Sequence, residues 1–518
     1  MQLYEVLSMQ VAAWREENYK TDGFPAIAEI LEWSHNPDVS SFRLRAPQVR
    51  ALETYWYLRL VEKTPHIFDL YKNLYSTVSE RMAALGMEHP GLKDLALDLT
   101  FDGIIQKVRT DDAFVKQYHL EALRETLTLD YPSYILALAM GAGKTVLIGA
   151  VFASEFAMAQ EYPDQGFVEN ALVFAPGKTI IESLRELAEM RYEAVLPPRM
   201  FKSFAAALKL TFTRDGDPDI PIQPGSQFNV VVTNTEKIRI QKETIRKSDI
   251  SARLFSSRSE DEARSEIANL RLQRIASLPN LAIFSDEAHH TYGQAMDSEL
   301  KKVRRTVDYL HNPHAQGSAE REAHETKLVC VVNTTGTPYF KHQLLKDVVL
   351  WYGLSEGIRD GILKEVGGNI RAFDFEGNVE PYLDFVIEDF FTEYGSARLP
   401  DGTPAKLAVF FPQTDDVEAL RGAIERKMVA LGYATDLILE HHTAHEEKDE
   451  FDRFRNSPKR VALLVSRGVE GWNVPALFAC ALAQTIRRRE QLCPAGRLAL
   501  PAPGSGEHSS RPHLSLDG

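Results

Sequence analysis

The stretch SYILALAMGAGKTVLIGAVFASEFAMA, residues 133–159, decides the fold class of this chain. It begins with a continuous apolar run, turns at a glycine-rich loop and continues as an apolar segment long enough for a helix. Further apolar runs, several of them followed by helical stretches, occur at ALVFAPG, FNVVVTN, LAIFSDEA and KLVCVVNTTGTP. Continuous apolar strands that alternate with helices are typical of a parallel sheet covered on both faces. The sequence therefore predicts an α/β domain over residues 116–345.

The regions outside this domain have different patterns. Residues 1–115 place apolar residues at helical spacing, which predicts a helical amino-terminal region. Residues 346–403 are mixed and partly turn-rich, and we expect them to form a connector. Strand and helix patterns alternate again from KLAVFFPQ to RVALLVSRG, so a second α/β domain is predicted over residues 404–485. Residues 486–518 form an atypical tail without strand or helix periodicity.

Composition places the chain among globular proteins of more than one domain. Its 518 residues exceed what one hydrophobic core fills, and 44% hydrophobic with 25% charged residues is close to the average for soluble proteins. The three cysteines include no closely spaced pair, which argues against a disulfide framework and a zinc site and fits a reducing cytoplasm. No signal peptide and no membrane span are recognisable. We therefore expect a cytoplasmic protein with no membrane partner.

The net charge bears on the choice of partner. At −14 it does not favour binding to nucleic acid by bulk electrostatics. Local grooves, backbone amides and helix amino termini can still hold a phosphate backbone. A nucleic-acid partner would therefore have to be bound by local groups.

The loop between the first strand and its helix has the composition of a phosphate-binding loop. Glycines let backbone N–H groups face the phosphates, and the following helix adds the positive end of its dipole. The lysine would reach the β- and γ-phosphates, and the threonine would bind Mg²⁺. Leu138 stands where the general pattern has a glycine. The sequence predicts that ATP and Mg²⁺ bind at Gly141, Ala142, Gly143, Lys144 and Thr145.

A pair of acidic residues follows another strand of the same domain. LAIFS runs into Asp286 and Glu287, with His289 two residues later. Consecutive carboxylates at a strand end can divide two tasks, with Asp286 holding Mg²⁺ and Glu287 orienting or deprotonating the attacking water. The alternative is an acidic surface turn. A preceding strand of buried character, in the same α/β unit as Lys144, favours the catalytic pair.

Further segments resemble the motor motifs of superfamily 2 DEAD/DEAH-box helicases. They are LRAPQVRALE, which contains Gln48, a strand-to-helix turn with Lys178 and Thr179, and a strand end with Thr335, Gly336 and Thr337. The resemblance implies that Gln48 reads adenine and that Lys178 and Thr179 contact nucleic acid. It also implies that His289 and residues 335–337 couple nucleotide state to movement.

The second domain extends this resemblance. LLVSRGVEGWNVP is similar to the motif with which the second domain contacts nucleotide, here through Gly471 and Asn473, although Asn473 replaces the commoner Asp. The EGW segment, DGILKEV and the helical insert before the phosphate loop most resemble the motor portion of type III restriction Res subunits. This implies two RecA-like domains in tandem, double-stranded DNA as partner, and a possible methyltransferase subunit.

The pattern breaks near the carboxy end. The family's arginine-finger motif reads approximately Q-x-x-G-R-x-x-R, whereas here Gln491 is two residues too far from Arg497 and Leu500 stands at the second arginine. Arg497 is thus a candidate finger, and the finger is unassigned. We interpret residues 486–518 as out of frame or truncated from near residue 485; the alternative is a natural divergent tail. No room remains for the family's nuclease domain, so DNA cleavage is not predicted.

Three functions remain open on the sequence. The first is a DNA-dependent ATPase that moves along duplex DNA by closing two domains on Mg-ATP. The second is a nucleotide-gated DNA-binding module that binds ATP but turns over poorly because the finger motif is missing. An ATPase acting on protein or membrane transport would share the phosphate loop, but it would not explain Gln48 or the strand end at Thr335.

Overall fold

A computed structural model describes most of the chain. The described ranges are residues 1–35, 43–92, 95, 100–175, 184–213, 219–234, 237–238, 240–242, 266–268, 270–286, 300–311, 326–340, 343–363, 379–441, 453–465 and 474–483. The chain divides into two compact units, Met1–Gly353 and Leu354–Gly518. Within the described ranges, no helix combines the length and the apolar character that crossing a membrane would require.

The first unit is built on a parallel sheet of seven described strands in the order β11-β1-β8-β7-β2-β4-β3. Its strands β1, β4 and β7 are buried along their whole length, as expected when helices cover both faces of a sheet. The strands are β1 (Ser133–Leu138), β2 (Asn170–Ala175), β3 (Lys209–Phe212), β4 (Asn229–Asn234), β7 (Leu281–Asp286), β8 (Leu328–Thr335) and β11 (Val348–Tyr352). Two antiparallel pairs lie outside this sheet, β5 (Ile240–Lys242) with β6 (Glu266–Ala268) and β9 (Tyr339–Phe340) with β10 (Gln343–Leu344).

Eight described helices precede the first strand. They are α1 (Leu3–Glu16), α2 (Ala26–His35), α3 (Ala46–Leu60), α4 (Ile67–Leu74), α5 (Val78–Ala84), α6 (Phe101–Thr110), α7 (Asp112–Tyr118) and α8 (Glu121–Leu127). The later helices of the unit are α9 (Lys144–Glu161), α10 (Glu186–Glu189), α11 (Pro198–Ala207), α12 (Leu270–Ile275) and α13 (Leu300–His311). Helix α3 packs against α9, and α1 packs against β11. The amino-terminal helices therefore belong to the same compact unit as the sheet.

The second unit contains a smaller parallel sheet in the order β13-β14-β12-β15. Its elements are α14 (Leu354–Arg359), α15 (Glu380–Tyr394), β12 (Lys406–Phe411), α16 (Thr414–Ala430), β13 (Ile438–His441), β14 (Val461–Val465) and β15 (Leu477–Leu482). One core joins α15 and α16 to one face of the sheet, and a second core lies around Phe454 and Val474. The prediction of an α/β chain with two parallel-sheet domains and a helical amino-terminal region is confirmed.

The structure differs from the sequence reading in the segment predicted as a connector. Strand β11 lies inside residues 346–403, yet it pairs with β1 along the first sheet. Helix α15 lies in the same segment and contributes Leu383 and Ile387 to the core of the second unit. Strand β11 is a five-residue apolar run, and α15 buries apolar residues on one side while carrying acidic residues elsewhere, so neither stood out as part of a core in the mixed sequence of this segment.

Candidate nucleotide-binding site

The loop between β1 and α9 has the geometry that phosphate binding needs. Gly141 and Gly143 have φ values of +79° and +87°, in the left-handed region that glycine adopts without strain. Lys144 is the first residue of the 18-residue α9, and its side chain is buried. Because a helix amino terminus presents N–H groups without intrahelical partners and a positive dipole, the loop has the features of an anion-binding site.

Gln48 lies directly against this loop. It is in the first turn of α3, where its Oε1 accepts from Arg45 N at 2.7 Å. Its Nε2 donates to Gly143 O at 3.0 Å. A Cβ atom at Gly143 would lie 2.1 Å from this Nε2, so the close approach requires glycine. The structure thus brings together two motifs that are 95 residues apart in the sequence.

Two neighbouring strands place polar residues beside the loop. Asp286 ends β7, is buried, and accepts a hydrogen bond from Thr334 Oγ1 at 2.8 Å. Gly336 follows β8, and a Cβ atom there would lie 3.4 Å from Leu138 O and from Met140 N. Thr337 N donates to Thr335 Oγ1 at 3.1 Å, which closes the turn after the strand.

The register of the sheet explains why these residues meet. Strands β1, β8 and β7 are adjacent and parallel, so their carboxyl ends lie at one edge of the sheet. Ala137 pairs with Thr335, and Asp286 pairs with Thr334. Ligands of open α/β sheets bind at this edge. The loop, the acidic residue and the threonine turn therefore lie at the same edge of the sheet and make up one candidate site.

The described residues fit a magnesium–nucleotide complex. A carboxylate at Asp286 and a hydroxyl at Thr145 are hard oxygen ligands of the kind that Mg²⁺ takes, usually with phosphate oxygens and water completing its shell. Asp286 is buried at the strand end while Thr145 is partly exposed.

Several predicted site residues lie outside the described residues. They are Lys178, Thr179, Glu287, His289, Gly471, Asn473 and Arg497. Their roles stay predictions.

Two described residues of the site were not identified from the sequence. Arg45 donates from Nη1 to Gly141 O at 3.2 Å, and Thr334 holds Asp286. The signal for Arg45 was its place three residues before Gln48, where a helix begins. The signal for Thr334 was the pair of consecutive threonines at the end of β8. Because neighbouring strand residues face opposite sides of the sheet, only one of the two side chains can face Asp286.

Comparisons with known proteins agree with the sequence motifs in the first unit. Residues 114–338 match the sequence model of the type III restriction enzyme, res subunit, family. No curated protein matches the chain.

Solved structures of helicases and a restriction enzyme are similar to the chain at low identity. The DUF1998 helicase MrfA bound to DNA is 13% identical over 77% of this chain and 46% of its own, with a TM-score of 0.38. The ATP-dependent type ISP restriction-modification enzyme LlaBIII bound to DNA is 13% identical over 75% of this chain and 26% of its own, with a TM-score of 0.37. S. cerevisiae Dbp5 bound to RNA and ADP BeF3 is 12% identical over 73% of this chain and 78% of its own, with a TM-score of 0.33. The chain thus spans less than half the length of MrfA and of LlaBIII.

Proposed function

We propose that the chain is an ATP-hydrolysing helicase-type motor that acts on double-stranded DNA, like the motor portion of a type III restriction Res subunit. The match of residues 114–338 to that family is the premise. The observation that carries the proposal is the meeting of the phosphate loop, Asp286 and the turn at Gly336 on three adjacent strands. Phosphate-binding residues, a magnesium ligand and a turn next to the nucleotide are parts that a nucleotide-driven motor requires.

Each residue has a defined task in this proposal. Lys144 binds the β- and γ-phosphates while Gln48 reads the adenine, and Thr145 and Asp286 hold Mg²⁺. Bound there, Mg²⁺ supplies positive charge to the phosphate oxygens. Thr334 keeps the carboxylate of Asp286 oriented through the 2.8 Å hydrogen bond.

The remaining predicted residues complete the cycle in this proposal. Glu287 positions and deprotonates the attacking water. His289 and residues 335–337 couple the nucleotide state to movement of the motor. In the second domain Gly471 and Asn473 close on the nucleotide, and Lys178 and Thr179 contact DNA. A methyltransferase subunit as partner and a cytoplasmic location belong to the same proposal.

A second candidate function rests on the departure at the finger motif. Leu500 stands where the family has its second arginine, and Arg497 lacks the usual spacing from a glutamine. A missing arginine finger can lower turnover by about 10³-fold or more. In that case the chain is a nucleotide-gated DNA-binding module that closes on ATP and turns over slowly.

Steady-state ATP hydrolysis with and without duplex DNA separates the two. We expect DNA-stimulated turnover that disappears in Lys144→Ala and survives in Lys116→Ala, a matched change at an exposed lysine of α7. ATP binding without turnover, still dependent on Lys144, would support the second function instead. Equal ATP binding by Lys144→Ala and by the wild type would contradict both.

A further inference from the structure

Helices α3 and α9 pack side by side, and polar contacts join them at two places along their length. At their amino ends Gln48 Nε2 donates to Gly143 O. Farther along, Trp56 Nε1 donates to Ser154 Oγ at 3.0 Å, and Arg59 forms an ion pair with Glu155. From Gln48 to Arg59 is 59 − 48 = 11 residues, and from Gly143 to Glu155 is 155 − 143 = 12 residues. At ~1.5 Å rise per residue both spans are about 17 Å, so the two helices run side by side in one direction.

Glu155 is the centre of the second contact. Its side chain is fully buried in the middle of α9. Oε1 accepts from Tyr55 Oη at 2.6 Å and from Arg59 Nε at 2.6 Å. Oε2 accepts from Arg59 Nη2 at 3.2 Å and from Val168 N at 2.8 Å, the last from the segment that leads into β2. The carboxylate is thus held from two sides, with α3 supplying three of its four hydrogen bonds.

The two donors from α3 stay protonated in this environment. Burial, with added repulsion from Cys330 and Glu155, raises the pKa of Tyr55 well above its usual value. Burial alone would lower the pKa of Arg59, but the charge of Glu155 and the side chain of Tyr55 raise it above its usual range. Tyr55 Oη also lies 3.7 Å from Cys330 Sγ on β8, the strand that ends at Thr335.

Stability alone does not explain a buried ion pair at this place. Well-packed apolar side chains often stabilise a core as well as or better than a buried ion pair. What the pair adds is a fixed relative orientation of the two side chains, because a carboxylate and a guanidinium meet in a planar arrangement. A fixed arrangement at residue 59 sets the position of the whole of α3, including Gln48, along α9.

We propose that Glu155, Arg59 and Tyr55 form a positioning network that sets the base selectivity of the nucleotide site. They hold α3 in the register on α9 at which the amide of Gln48 meets the phosphate loop. Without the network α3 can shift or rotate slightly on α9, and Gln48 distinguishes adenine from guanine less well. This inference rests on the proposed function, in which Gln48 reads the base.

The test compares two buried glutamates of the same helix pair. Glu155→Gln keeps the shape of the side chain and removes its charge. The matched control is Glu53→Gln, since Glu53 is also fully buried and is bound by Arg15 and Tyr19, but it ties α3 to α1 instead of α9. In the full-length chain, with Mg²⁺, the affinities for the imidodiphosphate analogues of ATP and GTP are measured by calorimetry, together with the melting temperature of each variant.

We expect Glu155→Gln to lower the preference for the ATP analogue by roughly 3- to 30-fold, the range typical of residues that act through a neighbour. Glu53→Gln should lower the melting temperature and leave the preference unchanged. Tyr55→Phe removes one hydroxyl and should lower the preference in the same direction by a smaller factor. If Glu155→Gln does not fold, the base preference of Tyr55→Phe tests the network instead.

Gln48→Ala separates failure of this inference from failure of the proposed function. Loss of the preference in Gln48→Ala, with wild-type preference in folded Glu155→Gln and Tyr55→Phe, would overturn the positioning network and leave the proposed function intact. An unchanged preference in Gln48→Ala, or no preference in the wild type, would overturn the adenine-reading role and the network with it.

Discussion

At the scale of single residues, Gly143 is the position where the phosphate loop and Gln48 constrain each other. We expect Gly143→Ala to weaken nucleotide binding strongly. A side chain at φ +87° costs about 1–2 kcal/mol, and the new Cβ would lie 2.1 Å from Gln48 Nε2. Either the amide of Gln48 moves away or the loop changes shape. The measurement is the affinity for an ATP analogue, with circular dichroism to confirm the fold.

Gly23 offers a control for the backbone cost alone. It has φ +93°, and no atom lies within 4 Å of where its Cβ would be. Gly23→Ala should therefore cost a similar amount of stability and leave nucleotide affinity at the wild-type value. Equal affinities in Gly143→Ala and Gly23→Ala would show that the contact with Gln48 is not part of the site.

The same residues show what the sequence predicted about the site and what it did not. The order of motifs predicted that Gln48 and residues 141–145 serve one nucleotide, and the structure places them in contact. The sequence did not predict that Thr334, and not Thr335, donates to Asp286. That choice depends on which strand residues stand opposite each other, and register is set by packing across the sheet, not by spacing along the chain.

At the scale of elements, the start of β12 depends on a buried lysine. Lys406 is fully buried, its Nζ donates to Ser457 O at 2.7 Å and Lys459 O at 2.5 Å, and it lies 4.5 Å from the centre of the Phe454 ring. Burial, with a smaller effect of Arg460, lowers the pKa of Lys406 from 10.5 to about 8. The strand thus carries an ammonium group that the folded state disfavours.

This lowered pKa predicts a specific pH dependence of stability. Between about pH 8 and 10.5 the unfolded chain binds this proton more tightly than the folded chain does, so the free energy of unfolding should rise with pH in that window. Below pH 8 both states are protonated, and the full cost of burying the charge is present. We expect a rise of roughly 1–3 kcal/mol from pH 8 to 10 relative to Lys406→Met, measured by urea unfolding. Parallel pH profiles for the two proteins would contradict it.

Elements differ in how well the sequence predicts them. The five long apolar runs became β1, β2, β4, β7 and β8, the central strands, because burial on both faces leaves a continuous apolar pattern. Strands β3 and β11 lie at the two edges of the sheet and were not predicted. Strand β3 has one neighbour and is less completely covered, so its pattern is short and partly polar, as in KLTF. Strand β11 (VVLWY) is apolar, and it was missed because it falls in the segment predicted as a connector.

At the scale of the whole molecule, the first compact unit is larger than the domain that the sequence outlined. Residues 116–345 contain the phosphate loop and the central strands, but they lack α3 and β11. Without α3, Glu155 would lose Tyr55 and Arg59, and Ser154 would lose Trp56. Without β11, the strand β1 that leads into the loop would have a partner on one side only.

We therefore predict that a fragment of residues 1–353 folds and binds an ATP analogue, whereas a fragment of residues 116–345 does not fold. A buried carboxylate left without its cation costs about 3–5 kcal/mol, which is a large part of the total stability of a domain. Near-ultraviolet circular dichroism and thermal unfolding give the measurement. A cooperative transition in the shorter fragment at the temperature of the longer one would show that the amino-terminal helices are a separate domain. A cooperative unfolding transition in the longer fragment alone would show that these helices are part of the same folding unit as the sheet.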